Sequence, residues 1–306
     1  MIAIDKVVLC VPTLNAGESW VDWLTAWSAQ LVRPHTLAID SSSIDATPAL
    51  AAVFGLQLHA IPRASFNHGG TRQLAVEMLA EAEFLIFLTQ DAILATPYSI
   101  ANLLAAFDDP EVGAVCGRQL PHPDAGPIGA HARRFNYPAA SGVRSAADIT
   151  SLGIKTAFLS NSFAAYRKSA LLSVGGFPDD VIFGEDMCVA ARMIMSGWKL
   201  AYRADAAVHH SHDYGMRQEF QRYFDIGVMH VREPWLLENL GKPEGEGARF
   251  VWSETVWLWK HAPQLIPSAW FRTLLKLAGY RLGKAETRLP VWLKRRLGMF
   301  HGYWKE

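Results

Sequence analysis

The chain has 306 residues, half of them hydrophobic, and 29 Lys and Arg balance 29 Asp and Glu. That is enough for one large core, and too evenly charged overall to advertise a polyanionic partner such as nucleic acid. The signs are nevertheless segregated, with 14 basic and 20 acidic side chains in residues 1–214 against 15 and 9 in residues 215–306.

The opening segment "MIAIDKVVLCVPTLN" enters a strand-like run (7–11) with no basic n-region or cleavage site, so export by that route is not expected. Cys10, Cys116 and Cys188 sit in apolar runs without CxxC or Cys/His spacing, which argues against a disulfide framework or zinc site and suits a reducing cytoplasm. Trp20, Trp23, Leu24, Trp27 and Leu31 follow at helical spacing, then "TLAID" (36–40), a short helix at 47–54, "LQLHAI" (56–61) and a helix at about 70–82. Next come "FLIFL" (84–88), a helix near 97–107 and "VGAVCG" (112–117). Continuous apolar strands alternating with helices predict a mainly parallel sheet covered on both faces, with ligands at the carboxyl ends of its strands. Residues 118–155, rich in Pro, Gly, His and Arg, read as a long loop. Order returns with "TAFLSNSFAAYRKSAL", an acidic helix start "FGEDMCVAARMIMSG" and the strand "KLAYRADAAVHHSHD"; beyond 215 the pattern is helical.

Polar clusters end several of the apolar runs. In "DSSSIDAT", Asp40 and Asp45 can cap the following turn or recognise a base and ribose together with Ser42. "FNHGGTRQLAV" is either a capped helix or a phosphate site made of a helix N-terminus plus Arg72. There is no GxGxxG and no Walker lysine. Asp91, in "LTQDA", is a carboxylate closing a buried strand with no Lys or Arg beside it, and a divalent ion is its economical partner. Glu185 and Asp186 either complement a helix dipole or supply a general base. "VHHSHD" closes a strand with three histidines, more than a satisfied core histidine requires, and reads either as a polar loop or as a functional cluster.

Taken in order, "VPTLN", "DSSSIDAT", "NHGGTRQLA", "LTQDA", "SNSFAAYRKSALLSVGGF", "GEDMCVAARMIMSGWKLAY" and "VHHSHD" resemble inverting GT-A glycosyltransferases of family 2 over roughly residues 5–214, and most closely the bacterial rhamnosyltransferases of cell-surface polysaccharide synthesis. The resemblance implies an α/β GT-A fold, a doubly wound mainly parallel sheet with a C-terminal helical extension. The catalytic domain would be 1–214, its nucleotide-sugar half about 1–117 and its acceptor half about 118–214, followed by a basic, Trp-rich extension at 215–306. Pro12, Thr13 and Asn15 would line the nucleotide pocket with Ser42, Asp45, Thr89 and Gln90, and Asp40 would hold the base. Asn67, Gly70 and Arg72 would lie near ribose and diphosphate. Asp91 matches the last carboxylate of the family's DxD motif and, with His210 or His212, would bind Mg2+ or Mn2+. Of the catalytic ED pair, Glu185 and Asp186, the second is the implied base. Acceptor contacts are expected from residues 118–155 and from around Asn161 and Trp198.

The first Asp of DxD is Thr89 here. A carboxylate that grips a ribose hydroxyl is less needed when the donor carries deoxythymidine, so dTDP-L-rhamnose is the favoured donor. The same fold with a UDP-hexose is the alternative, and a sugar nucleotidyltransferase a weaker one. The acceptor would be a lipid-linked or lipopolysaccharide saccharide. Trp252, Trp257, Trp259, Trp270, Trp292 and Trp304, interleaved with Lys and Arg, suit the anionic membrane surface, which predicts a cytoplasmic protein held peripherally at the inner face of the cell membrane.

Overall fold

The apolar runs do become strands. The structure, a computed structural model, describes residues 2–242 and 245–304. Its strands are β1 (Val7–Thr13), β2 (His35–Asp40), β3 (Gln57–Ala60), β4 (Phe84–Leu88), β5 (Ile93–Leu94), β6 (Val112–Leu120), β7 (Gly142–Arg144), β8 (Phe163–Arg167) and β9 (Lys199–His209). They form one sheet in the order β3-β2-β1-β4-β8-β6-β9-β5, with β7 paired to β9. β3, β2, β1 and β4 are mutually parallel, and β6 runs parallel to β9, while β8 is antiparallel to both its neighbours. β4, β6 and β9 therefore point the same way, and their carboxyl ends share one edge.

The helices are α1 (Ser19–Ser28), α2 (Thr47–Val53), α3 (His68–Met78), α4 (Ser99–Leu104), α5 (Pro127–Asn136), α6 (Ile149–Leu152) and α7 (Lys168–Ser173). Then follow α8 (Glu185–Met195), α9 (Met216–Arg232), α10 (Pro234–Leu240), α11 (Glu246–His261), α12 (Ile266–Lys284) and α13 (Val291–Leu297). The two-residue alternation of the strands divides the core in two. Val7, Leu9, Val11 and Ile86 face the side covered by Trp20, Trp23 and Trp27 of α1, whereas Val8, Cys10, Leu85 and Phe87 face Cys188, Val189 and Phe224 on the other.

Residues 118–155 are not a continuous loop. They contain α5, a strand and α6, because α5 buries His131 against α11, where its Nε2 meets Ser253 Oγ at 2.9 Å. The partner surface comes from a distant part of the chain, so no local periodicity announces the helix. The helix expected from about residue 70 begins at His68, capped by Asn67, whose Oδ1 accepts the Gly70 N–H.

Beyond Gly215, α9 and α12 pack so closely that a Cβ on Gly283 would lie 2.0 Å from the Phe224 carbonyl oxygen. The six tryptophans of residues 252–304 divide. Trp252 and Trp259 are 73% exposed, and Trp270 and Trp292 are also exposed, whereas Trp304 is buried and Trp257 donates its indole N–H to the Pro127 carbonyl. Trp252, Val256 and Trp259 follow one face of α11, and Trp270 of α12 joins them by donating to Thr255 Oγ1. Some of the cations are used internally: Arg272 and Lys276 pair with Glu219, and Lys294 with Glu286. No helix among the described residues is long and apolar enough to cross a membrane.

Candidate active site

Asp91 lies just past β4, and the short return strand β5 pairs Ile93 with His209 and Leu94 with Val208 at the end of β9. That pairing carries Asp91 to the histidines. Its Oδ2 lies 3.3 Å from His210 Nε2 and 3.7 Å from His212 Nε2, and the three potential ligand atoms all fall within 4.8 Å of one another. Burial pushes the Asp91 pKa up, but the His210 hydrogen bond and charge, aided by His212, outweigh it and hold the carboxyl well below its usual range. Burial and the neighbouring His210 press His212 down to about 4, which leaves its ring neutral at pH 7.

A residue not anticipated from the sequence orients His210. Gln119, at the end of β6 and 2% exposed, accepts at Oε1 from Arg133 Nη1 (2.9 Å) and meets His210 Nδ1 at 2.9 Å. Because a guanidinium only donates, Oε1 is the acceptor, so Nδ1 carries a proton and Nε2 is the ring nitrogen turned toward Asp91. One carboxylate and two imidazole nitrogens within 4.8 Å of one another form a set that fits a divalent ion.

The second cluster opens α8. Gly184 adopts φ 79°, a left-handed conformation that suits glycine and turns the chain into the helix. Asp186 Oδ1 accepts from the Met187 N–H (2.8 Å), and Oδ2 from the Asn161 N–H (3.1 Å). Burial, and then the adjacent Glu185 carboxylate, raise the Asp186 pKa to about 7. Glu185 is held the other way. Burial would raise its pKa, but Arg72, with Nη1 2.8 Å from Oε1, brings it down, and Asn161 Nδ2 donates to the same oxygen at 3.2 Å. Two adjacent carboxyls with pKa values pushed apart serve different tasks.

Both members of this ion pair are buried. Glu185 is 6% exposed and Arg72 4% exposed, with Arg72 also donating to the His68 carbonyl, so each charge finds its partner inside the protein. The physical reason is that a buried carboxylate demands a buried cation. Removing one partner, as in Glu185→Leu or Arg72→Met, is expected to cost about 3–5 kcal/mol of stability, read as a lower denaturation midpoint.

Asn161 falls inside this network, with Oδ1 accepting from Tyr166 Oη at 2.6 Å. Its neighbour Ser160 accepts from Gln119 Nε2, so a chain of contacts runs from His210 through Gln119 and Ser160 to the loop that touches Asp186. Trp198 falls elsewhere. It precedes β9, at the opposite end of that strand from His210, and its indole N–H donates to Ser173 Oγ.

The remaining predicted residues build one wall. Asp40, 2% exposed, accepts from Thr13 Oγ1, Ser43 Oγ and the Ser43 N–H, which leaves its carboxylate about one further acceptor position. Asn15 N–H donates to Ser43 Oγ and its Oδ1 accepts from Ile44, while Asp45 receives the N–H groups of Gly17 and Thr47. Two loops are thereby stitched together, with Asn15 (φ 44°) and Ser42 (φ 62°) held in the left-handed region. Gln90 clamps the first loop by pairing with both the N–H and C=O of Leu14. Pro12 lies on β1 opposite Ile39, and Thr89 receives the Trp23 indole N–H at its carbonyl. Asn67 also reaches across to the Asp179 carbonyl.

Residues 85–282 match the family described as glycosyl transferase family group 2. The chain belongs to that family. The transferase is 50% identical, over 98% of its length and 96% of the relative's, to the O-antigen chain rhamnosyltransferase RfbN of Salmonella typhimurium strain LT2. It is 49% identical, over 97% of its length and 95% of the relative's, to the O-antigen chain rhamnosyltransferase WbaN of Salmonella anatum. Its fold resembles a Pyrobaculum calidifontis mannosyltransferase solved with GDP-Man and Mn2+, with TM-score 0.63, 17% identity, and coverage of 92% of this chain and 87% of that one. The fold also resembles S. aureus TarS 1-349 solved with UDP-GlcNAc, with TM-score 0.55, 14% identity, and coverage of 92% and 91%. The transferase therefore has the GT-A architecture, its mixed, largely parallel sheet flanked by a helical C-terminal region.

Proposed function

We propose that this enzyme transfers L-rhamnose from dTDP-L-rhamnose, with inversion, to a hydroxyl of a lipid-linked or lipopolysaccharide saccharide at the inner face of the cell membrane. The observation that carries the reading is Asp186, a carboxyl poised at about 7 and tied by hydrogen bonds to the loop that also orients the Asp91 and His210 cluster. The naming of two full-length relatives as O-antigen rhamnosyltransferases supports the donor and pathway.

In this reading Asp186 accepts the proton of the acceptor hydroxyl as its oxygen bonds to the anomeric carbon, and the bond to the diphosphate oxygen breaks with its electron pair leaving on the nucleotide. Mg2+ or Mn2+ held by Asp91, His210 and His212 would supply Lewis-acid charge to the diphosphate. The cationic side chains near that cluster are Arg133 and Arg222, both close enough to His212 to lower its pKa and neither ion-paired with a carboxylate among the described residues. They, in place of Arg72, stabilise the leaving charge.

The donor assignment is tested by measuring nucleotide diphosphate release from dTDP-L-rhamnose, UDP-glucose, UDP-galactose and GDP-mannose. At least about tenfold higher kcat/KM is expected for the dTDP sugar, a difference of about 1.4 kcal/mol. Equal turnover of UDP-sugars would sink that choice. The Trp252, Trp259 and Trp270 face gives the peripheral attachment its surface. A Trp252→Ala/Trp259→Ala double variant is expected to lose at least about tenfold in affinity for vesicles containing anionic lipid at low salt, given about 1.5–3 kcal/mol for each large apolar side chain buried. Undiminished co-sedimentation would argue against it.

A further inference from the structure

The segment after α13 is fastened by polar groups that apolar packing alone does not need. Gln221 and Asp225, one turn apart on α9, both reach it. Gln221 Nε2 donates to the carbonyls of Arg296 and Gly298, each at 3.2 Å. Asp225 Oδ2 accepts the N–H groups of Met299 (2.7 Å) and Phe300 (3.1 Å), and the backbone passes so close that a Cβ on Gly298 would lie 2.6 Å from Oδ1. Asp225 is wholly buried, and its Oδ1 has no hydrogen-bond partner among the described residues. A carboxylate in that state is costly to keep, and packing Leu297, Tyr303 and Trp304 against the core does not call for one. What the carboxylate fixes is the backbone turn at 298–300.

That turn carries Phe300 to the catalytic pair. Its ring stacks on Phe183 at 5.9 Å with the planes 20° apart, and meets the His68 ring edge-on at 5.4 Å. Phe183 is the residue before Gly184, where the chain enters α8 in a left-handed conformation with no side chain to anchor it. Packing of Phe183 therefore decides how the first turn of α8 lies. Arg222 of α9 also stands over Phe183, at 4.8 Å. His68, in turn, gives its carbonyl to Arg72, the partner of Glu185. One ring thus abuts both the loop that leads into the pair and the helical turn that carries its cation.

We infer that Phe300 is a positioning residue for the transfer reaction: held by Asp225, it fixes Phe183 and, through it, the place of Asp186 and its shelter from water. The inference rests on the transferase reading and gives the end of the chain a part in it, acting through Phe183 with no contact to a reacting atom. Burial is the largest cause of the raised Asp186 pKa, so a loosened loop admits water and lets that pKa fall.

The test uses the full-length enzyme with its aspartate carboxyls labelled with carbon-13, the Asp186 resonance being the one that Asp186→Asn removes. Phe300→Leu keeps an apolar side chain but removes the flat ring. Tyr303→Leu is the control, because its ring lies on the same segment but packs on Trp304 and Arg232. In Phe300→Leu the Asp186 carboxyl is expected to titrate at least about one pH unit below the parent, since water reaches it while Glu185 and Arg72, the charged groups that act on it, are unchanged. The kcat for dTDP release from dTDP-L-rhamnose should fall at least about tenfold, with thermal stabilisation by dTDP retained. Tyr303→Leu should lower the denaturation midpoint and leave both readings at the parent's values. Phe183→Leu should match Phe300→Leu, the double variant should be no worse than either, and Phe183→Leu supplies the same two readings should Phe300→Leu not fold. A folded variant that keeps the parent's titration or the parent's kcat overturns the inference, as does the same pair of losses in Tyr303→Leu. Failure of the parent to be stabilised by dTDP, or to release it from dTDP-L-rhamnose, sinks the transferase reading instead, while the titration, which needs no substrate, still decides whether Phe300 governs the Asp186 carboxyl.

Discussion

Replacing Asp186 by Asn is expected to lower kcat by about 10²–10⁴-fold, the usual worth of a positioned general base. Thermal stabilisation by dTDP should persist, because the stitched loops that carry Thr13, Asn15 and Asp40 lie on the first half of the sheet and share no hydrogen bond with Asp186. Asn cannot accept from both Asn161 and Met187, so a loss of about 1 kcal/mol in stability accompanies the change. Turnover within a few-fold of the parent would remove Asp186 from the mechanism. The pH dependence has a definite sign. Proton removal needs the ionised carboxylate, and the pKa is raised to about 7, so kcat/KM should climb with pH and reach half its plateau near 7. The Asn variant should lack that limb. The same shift acts on stability in the opposite sense. The folded carboxyl holds its proton above the ordinary value of 3.8, so its contribution is fully present below that value and is lost as pH rises through about 7.

Chelation of divalent ions should abolish transfer, and Mn2+ should restore it. Asp91→Asn is expected to reduce kcat/KM by at least about 10²-fold, because it removes the anionic ligand and with it the Lewis-acid charge at the diphosphate. Its signature is a binding defect that Asp186→Asn lacks: the rise in Tm produced by dTDP with Mn2+ should shrink toward that produced by dTDP alone. Gln119→Ala should reproduce a weaker form of this defect, about 10–100-fold in metal affinity, since it frees the His210 ring whose Nδ1 it now holds. Full activity of Asp91→Asn in the presence of chelator would dispose of the metal assignment.

The two clusters differ in how visible they were. Asp91, Asp186 and His210 stand out because each polar residue interrupts or ends an apolar run, and strand ends at one edge of a parallel sheet are where such residues meet. Gln119 ends β6 in the same manner, in "GRQL", and that strand-end signal was available to find it. Arg133 carried no such signal, because α5 is held by packing on the distant α11 and on β6 and its residues read as loop. Arg72 was legible as a cation near the site, yet its duty was not. Whether it faces a diphosphate or Glu185 depends on how α3 lies against α8.

The sequence by itself determined the strand and helix alternation, the polar residues at the strand ends and the Trp-rich character of the last third, because these follow from side-chain periodicity along a local stretch of chain. Only the tertiary structure decided that β5 returns Asp91 to His210, that Glu185 consumes Arg72 and leaves Asp186 with the raised pKa, and that α11 and α12 enclose a cavity at His212. Those outcomes depend on burial and on contacts between segments far apart in the chain, where the cost of an unpaired charge selects the partner, and no local pattern encodes that choice.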